Sequence, residues 1–329
     1  MLSRALLVAA AVMIAMPAGA QTASAPLELE GKIPLGSVSG RIDHLAIDLK
    51  RQRLFVAELG NDSIGVVNLA ANRVQSTMLG LKEPQGVAYE PSTDTVYVAN
   101  AGDGSVRLLW AEDLTSKGRI DLGEDADNVR IDTGQNRVLV GYGKGALAVI
   151  DPKNRKKISD IRLKAHPESF QIDNSTSRAF VNVPDAGEIA VVDLAKGEVI
   201  GAMPTQGHRA NFPMAFDRDA HRVLVVFRSP SRLLILSATD NTVIADLDTC
   251  GDADDVFVDP KRHRVYVSCG AGSIDVFEER AGKYEGIGHV GTAAGARTSL
   301  FVPELDRLFL AVRAAGREPA AIWVFRPTS

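Results

Sequence analysis

The stretch VAYEPSTDTVYVAN at residues 87–100 decides the fold. Val, Tyr and Ala alternate with polar residues, Glu90 opens a polar turn, and a second alternation ends in small residues. Period-two runs of β-branched and aromatic residues flanking an acid-led turn read as two antiparallel strands. The same pattern returns as VRIDTGQNRVLVGY at residues 129–142 and as VFVDPKRHRVYVSC at residues 256–269. Aligning the first strand of every copy gives His44, Gly86, Asn128, Ser169, Pro213, Asp255 and Ser299, spaced 42, 42, 41, 44, 42 and 44 residues apart. Within the second copy four strands are expected, at residues 86–89, 95–99, 105–110 and 118–122. Four-stranded units repeated every 40–45 residues are the pattern of propeller blades, and no long amphipathic helical stretch competes. The fold class is therefore all-β, a seven-bladed β-propeller.

The last copy carries strands at residues 308–312 and 322–325 and then the chain stops. LEGKIPLG at residues 29–36 reads like the outer-strand segments SKGRIDLG (116–123) and VIADLDTC (243–250). The N-terminal strand is therefore expected to complete the last blade, which closes the ring and removes exposed sheet edges.

Residues 1–20 read as a secretory signal peptide: Arg4, an apolar run over residues 5–16, and the small-residue cleavage pattern Ala18-Gly19-Ala20. A polar linker over residues 21–26 follows, then a single domain over residues 27–329. The expected location is periplasmic or secreted, with no membrane anchor after cleavage and a monomeric state. The formal net charge is −4, and −5 without Arg4. No basic stripe with interleaved aromatics appears, so nucleic acid is not an expected partner.

Val96-Tyr97-Val98-Ala99-Asn100, followed by Gly102-Asp103-Gly104-Ser105-Val106, resembles the YVTN repeat of bacterial β-propellers. Pro84-Gln85-Gly86-Val87-Ala88 is similar to the P-x-G-V-A opening of that repeat. The likeness runs through the chain after the leader, and is strong again in VYVSCGAGSIDVF at residues 265–277, so the sequence resembles the YncE-like secreted propellers. That resemblance implies architecture and a binding or scaffold role. It carries over no catalytic set.

In a propeller the first strand of each blade lines the channel and starts at one mouth, and loops after the second strand return there. Reading that column gives the ligand-binding candidates Arg41, Asp43, His44, Gln85, Asp127, Asn128, Glu168, Asn211, Asp254, Asp255, Arg297 and Thr298, with Asp252, Ser169 and Ser299 beside them. Two carboxylates about 5 Å apart repel by roughly 3 kcal/mol at an effective dielectric near 20. Such a mouth needs a cation, protonation or the guanidinium groups of Arg41 and Arg297. His44, Asn128 and Asp255 replace the small residue expected at the channel wall and form a candidate metal set for calcium, magnesium, manganese or zinc. In composition, though not in aligned sequence, this resembles the metal centre of the regucalcin and gluconolactonase propellers, so a metal-dependent hydrolase or lactonase is the alternative to a binding module. His166 and His208 precede first strands and could reach the same mouth. Asp48, Glu90, Asp132, Asp173, Asp217 and Asp259 recur on the opposite face and read as turn residues.

Cys250 and Cys269 are placed near one mouth, the first at the end of an outer strand, and are disulfide candidates in an oxidising compartment. The expected partner is a small molecule or a periplasmic protein at the mouth. Rim loops 228–232 and 313–317 are the alternative protein-interaction surface.

Overall fold

The computed structural model describes residues 25–329, so the expected signal peptide and most of the linker lie outside the described residues. Seven four-stranded antiparallel sheets form the blades: residues 45–79, 84–121, 126–162, 170–203, 209–248, 253–291, and 299–327 joined by Leu27–Pro34. In blade 7 the N-terminal strand Leu27–Pro34 is outermost, followed inward by Ala321–Pro327, Arg307–Val312 and Ser299–Val302. Its register runs from Leu27 opposite Pro327 to Pro34 opposite Ala321. In blade 2 the strands are Pro84–Glu90, Thr95–Asn100, Ser105–Trp110 and Ser116–Asp121, within two residues of their expected bounds. Among the described residues no helix is long and apolar enough to cross a membrane.

The core is seven seams, one between each pair of neighbouring blades. Phe55 and Val66 of blade 1 pack with Val87 and Val96 of blade 2, and each later pair repeats the arrangement. The seam of Ile33, Phe309 and Ile322 with Leu45, Leu54 and Val56 joins blade 7 back to blade 1. This explains the residue pattern: the second strand Thr95–Asn100 is buried on both faces, whereas the outer strand Lys156–Arg162 is exposed along most of its length.

The recurring acids tie turns. Asp48 accepts the Arg51 amide at 3.1 Å, Glu90 the amides of Ser92 and Thr93 at 2.7 and 2.8 Å, and Asp132 the Gln135 amide at 3.1 Å. Asp173, Asp217 and Asp259 do the same for Ser175, Asp219 and Lys261. Each carboxylate satisfies amides that the chain reversal would leave unpaired.

At the mouth, the pairing of first and second strands slips in blades 2, 3, 5 and 6, between Pro84 and Val87, Ala126 and Val129, Asn211 and Met214, and Ala253 and Asp255. Each slip is a bulge, which sets an extra residue outside the ladder and re-aims its side chain. The bulges fall at Gln85, Asp127, Phe212 and Asp254.

Cys250 and Cys269 form a disulfide with Cα atoms 5.9 Å apart. Cys250 lies in the loop after the outer strand Val243–Asp248 rather than in the strand itself. It ties the blade 5–6 connection to the second strand of blade 6, Arg264–Cys269. The bridge spans 19 residues of sequence, so its removal is expected to cost about 3 kcal/mol through the regained freedom of the unfolded chain. Urea denaturation of the Cys250→Ser/Cys269→Ser double variant checks this; an unshifted midpoint contradicts it.

Candidate functional site

The positions preceding the channel-wall residues are Asp43, Gln85, Asp127, Glu168, Phe212, Asp254 and Thr298, one per blade. Six of these seven line a narrow recess of about 20 Å³ at the mouth. It opens into a wider cavity of about 190 Å³ whose walls add Asp125, His166, Arg228 and Arg297. Thr298 is the exception. Its hydroxyl donates to the Ile42 carbonyl at 3.2 Å and stitches blade 7 to blade 1.

Charge is distributed unevenly around this ring. On one side the carboxylates have partners: Arg41 Nη2 lies 2.7 Å from Asp43 Oδ2, and Arg297 Nε lies 2.9 Å from Asp254 Oδ2. Arg297 also reaches Asp252 at 2.6 Å, and Arg228 bonds Asp254 while its guanidinium lies 3.9 Å from the centre of the Phe212 ring. On the other side stand Asp127 and Glu168. Among the described residues no lysine or arginine pairs with either, and Asp127, only 5 % exposed, keeps Oδ1 buried without a hydrogen-bond partner. Burial first, and then the Glu168 charge, raise the Asp127 carboxyl; burial and the Asp254 charge raise Glu168.

His44 sits 2.7 Å from Asp43 Oδ1 through Nδ1. Burial alone would lower its pKa, but the contact with Asp43 and the charges of Asp43, Asp127 and Asp255 push it up to about 9. That shift favours the protonated imidazole, which is held by Asp43. Asp255 Oδ2 accepts the Ser299 amide at 2.7 Å and ties blade 6 to blade 7. Asn128 lines the recess with its Oδ1 unpartnered. Among the described residues, the one set of three His, Cys, Asp or Glu side chains whose ligand atoms lie within 4.8 Å of one another is a different one: Asp127, His166 and Glu168.

The remaining candidates fall into two groups. Arg41, Asp43, Gln85, Asp127, Asn128, Glu168, Asp254 and Arg297 meet at the mouth. Asn211 does not: its amide donates to Asn182 Oδ1 and the Glu188 carbonyl, both at 3.0 Å, inside the seam of blades 4 and 5. Phe212, the residue before the wall position Pro213, stands at the mouth as its equivalents do in blades 1, 2, 3, 4 and 6. His208 is also turned away, with Nε2 2.9 Å from Asp246 of the outer strand. Phe212 and Arg228 are mouth residues that the reading of the column missed. Arg228 is the penultimate residue of the second strand Arg222–Ser229, the element whose following loop returns to this face, so the repeat contained the signal.

No family model matches the chain. Among curated proteins it is 21 % identical over 174 residues to the uncharacterized protein YncE of Salmonella typhimurium, covering 51 % of this chain and 48 % of that protein. It is 26 % identical over 127 residues to the uncharacterized protein YncE of Escherichia coli O157:H7, covering 36 % and 35 %. The chain thus spans about half or less of the length of the curated relatives it matches. A chain in a crystal structure of the mitotic checkpoint complex superposes with a TM-score of 0.79 at 11 % identity, over 99 % of both chains. A chain of Kuenenia stuttgartiensis hydrazine synthase gives 0.71 at 16 %, over 90 % of this chain and 99 % of that one. At such identities these two matches speak only for the fold. The closed ring is a seven-bladed β-propeller, and the chain is similar in sequence to the YncE proteins.

Proposed function

We propose that the protein is a ligand-binding propeller that takes a cationic group into the mouth of its channel, between Asp127 and Glu168. One observation carries the reading: these two carboxylates line a cavity whose lining arginines, Arg41, Arg228 and Arg297, are each paired with another acid. At a separation of no more than 4.8 Å they repel by roughly 3 kcal/mol at an effective dielectric near 20, and a bound cation turns that cost into attraction. The disulfide and the leader-like residues 1–20 support an oxidising compartment such as the periplasm as the place of work. The rim-loop reading has less support. Arg232 is held by Asp246 and Asp248, and Arg313 donates to the Gly295 carbonyl at 3.0 Å.

The test uses the diamine putrescine as probe and the Asp127→Asn/Glu168→Gln double variant. Without ligand at pH 8 the variant is expected to be more stable than the wild type by about 2 kcal/mol, because two carboxylates whose charged forms burial disfavours have been neutralised. Putrescine should raise the melting temperature of the wild type and leave that of the variant unmoved. Equal responses of the two proteins to putrescine would sink the reading.

A further inference from the structure

The geometry points to a divalent-metal site of the zinc class at the mouth, built from Asp127, His166 and Glu168. It deepens the cationic-ligand reading and rests on it. One ligand-capable atom from each of the three lies within 4.8 Å of the others, and contraction to about 3.3 Å, the edge of a tetrahedron with bonds near 2.0 Å, completes a site. Two features lift this cluster above a collection of acids. First, Asp127, in a wall of the cavity, is buried with its Oδ1 unpartnered, so its carboxylate is already desolvated and has an unused lone pair. Second, His166 Nδ1 lies 2.6 Å from the Gly143 carbonyl. A carbonyl can only accept, so Nδ1 carries the hydrogen and Nε2 keeps its lone pair. That tautomer, fixed by a bond to backbone, is how proteins present an imidazole to a metal.

The local chain holds the ligands in place. His166-Pro167-Glu168 sets two ligands on either side of a residue with a fixed φ. A Cβ on Gly141 would lie 3.0 Å from Pro167 Cγ, so the missing side chain lets this turn settle against blade 3. The Glu168 amide donates to the Asn182 carbonyl at 2.9 Å and pins the same turn to blade 4. Asp127 enters from the bulge that begins blade 3. One imidazole and two carboxylates suit zinc better than calcium, which prefers six to eight oxygens, and three protein ligands leave a fourth position open toward the cavity.

Untagged protein treated with EDTA and dialysed free of it is titrated with zinc chloride by calorimetry, and with cobalt(II) by visible absorption. One equivalent of zinc is expected, with a tetrahedral cobalt spectrum. His166→Gln should weaken zinc at least tenfold; Asp127→Asn should weaken both zinc and putrescine; His289→Gln, on an outer strand, should weaken neither. Putrescine binding without zinc binding in the folded wild type overturns the metal site and leaves the cationic mouth standing. Binding of neither overturns both. Zinc binding that persists in His166→Gln also overturns the assignment.

Discussion

A chain lacking residues 25–34 is expected to lose at least about 5 kcal/mol of stability and to associate at concentrations where the full chain stays dispersed. The segment supplies the outer strand of blade 7, with Leu27 and Ile33 each 2 % exposed, and burying two such side chains is worth roughly 3–6 kcal/mol before any hydrogen bond is counted. Ile33 belongs to the seam that joins blade 7 to blade 1, so its loss opens the ring where it closes. Beyond the strand, the Pro26 carbonyl accepts the Thr328 amide at 3.1 Å and the Ala25 carbonyl accepts the Thr328 hydroxyl at 2.7 Å. Deletion also leaves Ala321–Pro327 as a bare edge, a template for pairing with another chain. Urea denaturation and size-exclusion chromatography give the answer. An unchanged midpoint and a single sharp peak would show that closure does not depend on this strand.

Gly86→Ala should be the most damaging single-methyl change in the molecule that also reaches the site. A Cβ at Gly86 would lie 2.0 Å from the Asp127 carbonyl oxygen, 2.8 Å from its carbon and 3.1 Å from Val129 Cγ2. Two of these are backbone atoms, so relief requires blades 2 and 3 to part where they converge on the axis. Such overpacking costs about 1–3 kcal/mol, and moving the Asp127 backbone should weaken zinc and putrescine together. Gly201→Ala in the outer strand Glu198–Met203 makes the same chemical change where nothing lies within 4 Å, and should be close to neutral. Comparing melting temperatures and binding for the two variants isolates the contact. Equal behaviour would mean that the first strands do not approach as closely as described.

The architecture was legible because the repeat is written in periodicity. The positions from His44 to Ser299 that align in the sequence are those preceding the aligned ladder residues in all seven blades, and the strand at the N-terminus fills the gap left in blade 7. The mouth was legible only as a column. Asp43, Gln85, Asp127, Glu168 and Asp254 were visible in it, because each copy places one residue there. Which of them remain without a counterion was not visible, since that depends on Arg228, Arg297 and Arg41 reaching across between blades. His44 shows the same limit. Its identity as an unusual wall residue could be read, whereas its protonation follows from Asp43 at 2.7 Å together with the nearby charges of Asp127 and Asp255. The fifth blade misleads for another reason. The residue before the wall position Pro213 is Phe212, as the repeat requires, whereas Asn211 stands one place earlier, pairs with Phe227 and turns into the seam of blades 4 and 5.

The bulges that carry Gln85, Asp127, Phe212 and Asp254 stand outside the hydrogen-bonded ladder. Four letters around the pore can therefore be respelled without rewriting the grammar of the sheets. A propeller built this way is a rigid holder with an interchangeable rosette, in which one duplicated segment, edited copy by copy, supplies a new chemistry while the frame stays as it was.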